Sequence, residues 1–195
     1  MPEYQGNSRR LRRMLNTWTI SFISQAISAP PLDTMLNGLD LDGDGISQTL
    51  LPGITTRNSL GRSLNVAELR ELVDQYNAQV EARTRRVTNP DGSVTVIRPR
   101  TPFNQIINPI TLPPKFTNGD SLLTQDLRLA RSIKIREKVR LSLIGEVFNL
   151  FNIANMTGYS GVLNQPNYGQ PSSRIGQAFG TGGPRAFQFA ARIEF

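Results

Sequence analysis

The sequence predicts an all-β fold of antiparallel strands. Two observations favour it: apolar and polar residues alternate along four segments, and the connections between those segments are very unequal in length. In addition, no run approaches the roughly twenty apolar residues that a membrane-spanning helix needs. The 195 residues, 38% of them hydrophobic, are enough for a real core and too mixed in character for a disordered chain.

Each strand has one apolar side. Trp18, Ile20 and Phe22 share a side of the first, and Phe187 and Phe189 share a side of the last. Arg131 interrupts the apolar side of the second strand, where it could snorkel at an interface or mark a bulge. The strands are expected at residues about 14–27, 122–136, 138–149 and 185–195.

The connections predict which end of each strand faces outward. Only a few residues around "REK" join the second and third strands, whereas the loops at about 28–120 and 152–183 are long. Transmembrane β-barrels combine short periplasmic turns with long external loops, and all three connections fit that rule. Within the first loop, Asn65 as cap and Glu68 three residues later predict a helix at about 66–83. Asp91 and Gly92 predict a hairpin turn in the same loop.

The composition excludes several kinds of chemistry. The chain has no cysteine and no histidine, which removes disulfides, thiolate nucleophiles, the usual zinc sites and histidine-based triads. We therefore expect no enzyme. The net charge of +7 permits an anionic partner, but no nucleic-acid-binding signature accompanies the basic cluster. We expect that cluster to be a solvated turn and expect no nucleic-acid partner; its members are Arg9, Arg10, Arg12 and Arg13.

One motif indicates a metal site. In "DLDGDG", Asp40, Asp42 and Asp44 stand at alternate positions with Gly45 next, as at the start of a calcium-binding loop. The twelfth position of such a loop carries a bidentate glutamate, and here it is Leu51. Calcium is thus the candidate cofactor, and turns closed by aspartate side chains are the alternative explanation.

The C-terminal motifs resemble a known family. "GEVFNLFNIANMTGYSG", then "YGQPSSR", then "GGPRAFQFAARIEF" are similar to the end of TonB-dependent outer-membrane receptors, in the Oar-like group whose members carry a carboxypeptidase-regulatory-like domain. The resemblance implies that residues 1–195 are a C-terminal fragment containing the last four or so antiparallel strands of a large transmembrane β-barrel of about twenty-two strands. Its long external loops would contain the one α-helix.

The same resemblance implies a location, partners and a function. The chain would lie in the outer membrane of a Gram-negative-type bacterium and take part in TonB-energised uptake of an unidentified extracellular ligand. Its partners would be outer-membrane lipid, the barrel-assembly machinery and, through an N-terminal part missing from this chain, the TonB complex. Two alternatives stay open: a passive porin-like barrel, and a secreted calcium-stabilised β-domain for adhesion.

The resemblance also assigns roles to strand residues. The apolar end of the last strand would be the barrel-assembly signal, formed by Phe187, Phe189, Ile193 and Phe195. The side chains expected to face lipid are Trp18, Phe22, Leu127, Leu141, Phe187 and Phe189. Those expected to line the lumen are Arg128, Arg140, Glu146 and Arg192.

Overall fold

The structure is a computed structural model that describes residues 4–176 and 182–195, except for the side chains of residues 13 and 14. Its helices are α1 (Arg9–Leu15) and α2 (Val66–Arg83). Its strands are β1 (Trp18–Ile27), β2 (Met35–Asn37), β3 (Gln48–Leu50), β4 (Arg85–Thr88), β5 (Val94–Ile97), β6 (Leu122–Lys134), β7 (Arg140–Phe148), β8 (Met156–Thr157), β9 (Ser173–Arg174) and β10 (Ala186–Glu194). Neither helix is long and apolar enough to cross a membrane within the described ranges.

The chain divides into two compact units. The first contains the described parts of Met1–Ser28, Ser121–Met156 and Arg174–Phe195, and the second contains Ala29–Asp120 and Thr157–Ser173. The second unit is therefore built from the two long connections between strands of the first.

The first unit is a four-stranded antiparallel sheet in the order β1-β6-β7-β10. The prediction of antiparallel strands in an all-β fold is confirmed, and the sheet is open, as a part of a barrel would be. A tight turn joins β6 to β7, where Ile135 N donates to Val139 O at 2.9 Å. The other two connections leave from the opposite end of the sheet.

The start of the first strand was predicted wrongly. The sequence predicted a strand from about residue 14 and a solvated turn at the arginine cluster, but α1 occupies Arg9–Leu15 and β1 begins at Trp18. Ser8 caps α1 by accepting a hydrogen bond from Leu11 N, which satisfies one donor of the first helical turn. Thr17 has a φ of 71°, a left-handed conformation that separates the helix from the strand.

The second unit has its own hydrophobic core. Strands β2 and β3 pair antiparallel, and residues of the later connection join them, since Leu163 N donates to Met35 O at 2.7 Å. The Tyr168 hydroxyl donates to Asp33 O at 3.3 Å, and burial raises the pKa of Tyr168. The large side chains that are fully buried in this core are Leu36, Leu51, Leu60, Leu69, Leu163 and Tyr168.

The predicted helix and hairpin are both present in this unit. The side chain of Asn65 accepts from Glu68 N, and Glu68 accepts from Asn65 N, so the capping box is complete. Strands β4 and β5 form the hairpin. Glu81 on α2 accepts from Arg86 at 2.7 Å and from Arg98 at 2.6 Å, and these hydrogen bonds hold the pKa of Glu81 below its usual value. The buried stripe of α2 is Leu69, Val73, Tyr76 and Val80.

Candidate functional site

One face of the four-stranded sheet is apolar because the pairing register aligns the apolar sides of all its strands. The row through the middle of the sheet contains Ile20, Leu129, Gly145 and Phe189. The next row toward the long connections contains Phe22, Leu127, Val147 and Phe187. Since side chains at alternate positions share a face, the four residues of each row point to the same side of the sheet.

The predicted assembly-signal residues lie on this apolar face and are exposed. Phe189 is 82% exposed and Phe195 is 94% exposed, and both Phe187 and Ile193 are also open to their surroundings. A Cβ built on Gly145 would lie 3.5 Å from a ring carbon of Phe189, so the ring covers the glycine that faces it across the strand pair. Exposed apolar surface of this extent marks a surface that contacts lipid or protein.

Arg131 is the cation on this apolar face. Arg131 pairs with Trp18 of β1 on one side and with Leu143 of β7 on the other. Both registers are unbroken at this position, so no bulge occurs there. Its guanidinium lies over the ring of Trp18 at 5.1 Å from the ring centre. This contact places a charge beside an aromatic ring near the end of β1 that is closest to the short turn.

The opposite face of the sheet carries most of its charges, although one row of that face is largely apolar and contains Thr19, Ala130, Ile144 and Ala190. Arg128 and Glu146 are paired in the register, and Arg128 Nε lies 3.4 Å from Glu146 Oε1. Ser21 and Gln188 complete that row. Arg192 makes a second ion pair with Glu194 at 3.1 Å. Apart from Arg131, the charged side chains of the four strands therefore lie on this face, opposite the rows that contain Phe22 and Phe189.

Three asparagines fix the end of the sheet from which the long connections leave. Asn149 is completely buried; its amide group donates to Ile153 O and Gly183 O at 2.9 and 2.7 Å, and its carbonyl accepts from Ile153 N at 3.0 Å. Asn155 accepts from Leu123 N at 2.9 Å.

The side chain of Asn152 also makes hydrogen bonds to residues distant in sequence, but it is exposed. Its carbonyl accepts from Arg185 N at 3.3 Å and from the Arg174 side chain at 3.2 Å. Asn149 and Asn152 have φ angles of 49° and 53°, a conformation that asparagine tolerates. This set was not predicted, although the sequence carries a signal for it, asparagine at every third position of "NLFNIAN".

The three aspartates of the predicted calcium loop lie together. One oxygen from each of Asp40, Asp42 and Asp44 lies within 4.8 Å of the others. The loop also has internal hydrogen bonds, since the two carboxylate oxygens of Asp40 accept from Gly43 N at 2.7 Å and from Gly45 N at 2.9 Å. Both explanations therefore fit the local geometry: a cation, or aspartate-closed turns.

A pair of variants separates these explanations. Asp40→Ala is expected to speed proteolysis of the loop with calcium or with chelator, because two backbone donors lose their acceptor. Asp42→Asn alters an exposed carboxylate and is expected to leave cleavage in chelator unchanged. If calcium protects the unmodified protein and not Asp42→Asn, the loop binds the ion; equal cleavage in both conditions would contradict the calcium prediction.

Comparison with known proteins identifies the family to which this sheet belongs. A family model described as an outer membrane beta barrel domain matches residues 1–188. No curated protein and no solved structure matches the chain. The match covers nearly the whole sequence and agrees with the apolar and polar faces of the antiparallel sheet. The chain therefore belongs to the outer membrane β-barrel domain family, and it is located in the outer membrane.

Proposed function

We propose that this barrel segment belongs to a TonB-dependent, Oar-like receptor that takes up an extracellular ligand. The observation that carries the proposal is the second unit: the two long connections pack together around one core rather than forming separate loops. A rigid scaffold of this kind can hold a recognition surface in place at low entropic cost. The order of the C-terminal motifs supports the same class of receptor.

The polar face of the sheet supplies the matching lumen surface. In a barrel whose apolar face contacts lipid, the ion pair of Arg128 and Glu146 would lie inside, on the same face as Arg140 and Arg192. Charged side chains on a lumen face tune which solutes pass. With neither histidine nor cysteine in the sequence, we assign the protein a transport role rather than a catalytic one.

The test uses the native protein purified from its own outer membrane. An energised receptor should show no steady KCl conductance in planar bilayers and should bind the purified periplasmic domain of TonB. A passive porin should conduct steadily and should not bind that domain. Steady conductance without binding would contradict the uptake proposal and leave the membership in the barrel family intact.

The assembly-signal prediction has its own test. Deleting Phe195 removes a side chain that is 94% exposed, so the loss of packing is small. We expect the level of the protein in the outer membrane to fall several-fold, while the thermal stability of the assembled fraction changes little. Arg192→Ala, on the polar face, should leave the level unchanged. Normal insertion of the deletion variant would show that Phe195 is not part of the signal.

A further inference from the structure

A basic cleft lies at the short-turn end of the sheet, between α1 and the end of β6. Its volume is about 730 Å³. Arg9 and Arg12 line it from the helix and Arg131 lines it from the apolar face of β6, while Lys134 borders it on the opposite face of that strand. The described residues around it include four cations and no carboxylate. The sequence predicted that the N-terminal arginines form a solvated turn. A solvated turn does not explain why Arg9 and Arg12 lie beside the end of β6.

The position of the cleft relative to the membrane follows from the turn beside it. Strands β6 and β7 are joined there by the tight turn between Ile135 and Val139. In outer-membrane barrels the short turns face the periplasm. The cleft therefore lies at the level of the lipid headgroups of the periplasmic leaflet. This placement depends on membership in the barrel family and not on the uptake proposal.

The lining of the cleft combines charge with apolar surface. Ile133 stands two residues after Arg131 in the same strand, so both are on the apolar face, and Ile135 is exposed just beyond the strand end. Trp18 is at the same level, where tryptophan is typical of a membrane interface. Arg131 therefore occupies the border between the apolar face and the basic cleft.

The charge complementarity selects one class of occupant. Guanidinium groups match phosphate oxygens with paired hydrogen bonds, and basic pockets beside membrane-facing surfaces recognise anionic lipid headgroups. A soluble anion would have no use for the apolar wall formed by Ile133 and Ile135. We propose that the cleft binds the phosphate-bearing headgroup of an anionic phospholipid of the periplasmic leaflet, with the acyl chains against the apolar face.

Trp18 provides a direct probe in the full-length protein that contains this segment, once any tryptophan outside the segment is replaced by phenylalanine. Trp18 lies against Arg131, so its fluorescence is quenched by bromine atoms on lipids that occupy the cleft. The protein is reconstituted in vesicles of phosphatidylcholine containing a minor fraction of phosphatidylglycerol, with bromine on one lipid or the other. Since each basic residue contributes roughly a fivefold preference for anionic lipid, we expect quenching to report phosphatidylglycerol enriched about tenfold or more around Trp18.

The matched variants are Arg9→Gln with Arg12→Gln, and Arg192→Gln as the control. The double variant should lower the enrichment several-fold. The control removes a cation from the polar face, where Arg192 pairs with Glu194, and should leave the enrichment unchanged. If the double variant does not fold, half-molar salt applied to the unmodified protein should lower the enrichment in the same way.

Two outcomes would overturn the proposal. Equal quenching by the two brominated lipids would show that the cleft does not select anionic headgroups. Displacement of brominated phosphatidylglycerol by millimolar inorganic phosphate, without loss of quenching by phosphatidylcholine, would identify a site for a soluble anion instead of a lipid.

Discussion

Replacing Leu129 by arginine is expected to lower the free energy of unfolding by about 2–4 kcal/mol, the range for a cation on the lipid face near the bilayer midplane. Leu129 belongs to the middle row of the apolar face, together with Ile20, Gly145 and Phe189. The measurement is urea unfolding of the full-length barrel that contains this segment, folded into phosphatidylcholine vesicles and followed by the fluorescence of Trp18 as the one tryptophan retained.

Two controls test the depth and the face separately. Leu141→Arg introduces the same charge on the same face, but Leu141 is the second residue of β7 and lies close to the rim, so the loss should be about 0–1 kcal/mol. Gln188→Arg lies next to the middle row on the polar face, opposite Glu146, and should change stability little. Equal losses for Leu129→Arg and Gln188→Arg would contradict the assignment of the apolar face to lipid.

Asn149→Gly should lower the free energy of unfolding by about 3 kcal/mol, at roughly 1 kcal/mol for each hydrogen bond lost from the buried side chain. The side chain of Asn149 makes three such bonds, to the backbone of Ile153 and Gly183. Glycine adopts the φ of 49° without strain, and the extra entropy that it gives the unfolded chain is matched in the control variant below, which also introduces glycine. The same urea titration measures the loss.

The control for this variant is Asn152→Gly. Asn152 has nearly the same φ, 53°, but its partners Arg174 and Arg185 are bonded at an exposed site. Water can replace a bond there, and we expect a loss of about 1 kcal/mol or less. A loss as large as that of Asn149→Gly would show that burial does not explain the role of the asparagines.

The sheet could be predicted from the sequence because the alternation of a strand depends only on residues two positions apart. The faces of Leu129 and Arg128 follow from that period alone, and so does the pairing of like faces in an antiparallel sheet. The predicted helix could be recognised for the same local reason, since Asn65 and Glu68 are three residues apart.

The features that could not be predicted depend on contacts between distant residues. The side chain of Asn149 is hydrogen-bonded to Gly183, and that of Asn155 is hydrogen-bonded to Leu123. Neither partner is evident from the residues around the asparagine. The basic cleft likewise depends on contacts between distant residues, since nothing in the sequence near Arg9 and Arg12 indicates that they lie beside Arg131. For Asp40, Asp42 and Asp44 the same spacing serves a cation site and a set of turns, so sequence alone leaves both open.

The packed second unit bears on the order in which the strands can associate. Pairing β6 with β7 closes only a tight turn, whereas pairing β1 with β6 must bring together residues separated by the whole first connection, and the entropy of loop closure rises with that length. In the folded second unit the two ends of that connection are adjacent, because a Cβ at Gly119 would lie 3.4 Å from Ala29 and Pro30. The ends of the part of the other connection that belongs to this unit also meet, where Ser172 N donates to Thr157 O at 3.2 Å. If the second unit folds early, most of the entropy of loop closure is lost before the long-range strand pairs form. Strands β1 and β10 can then pair with a preformed β6–β7 hairpin as fast as residues in local contact.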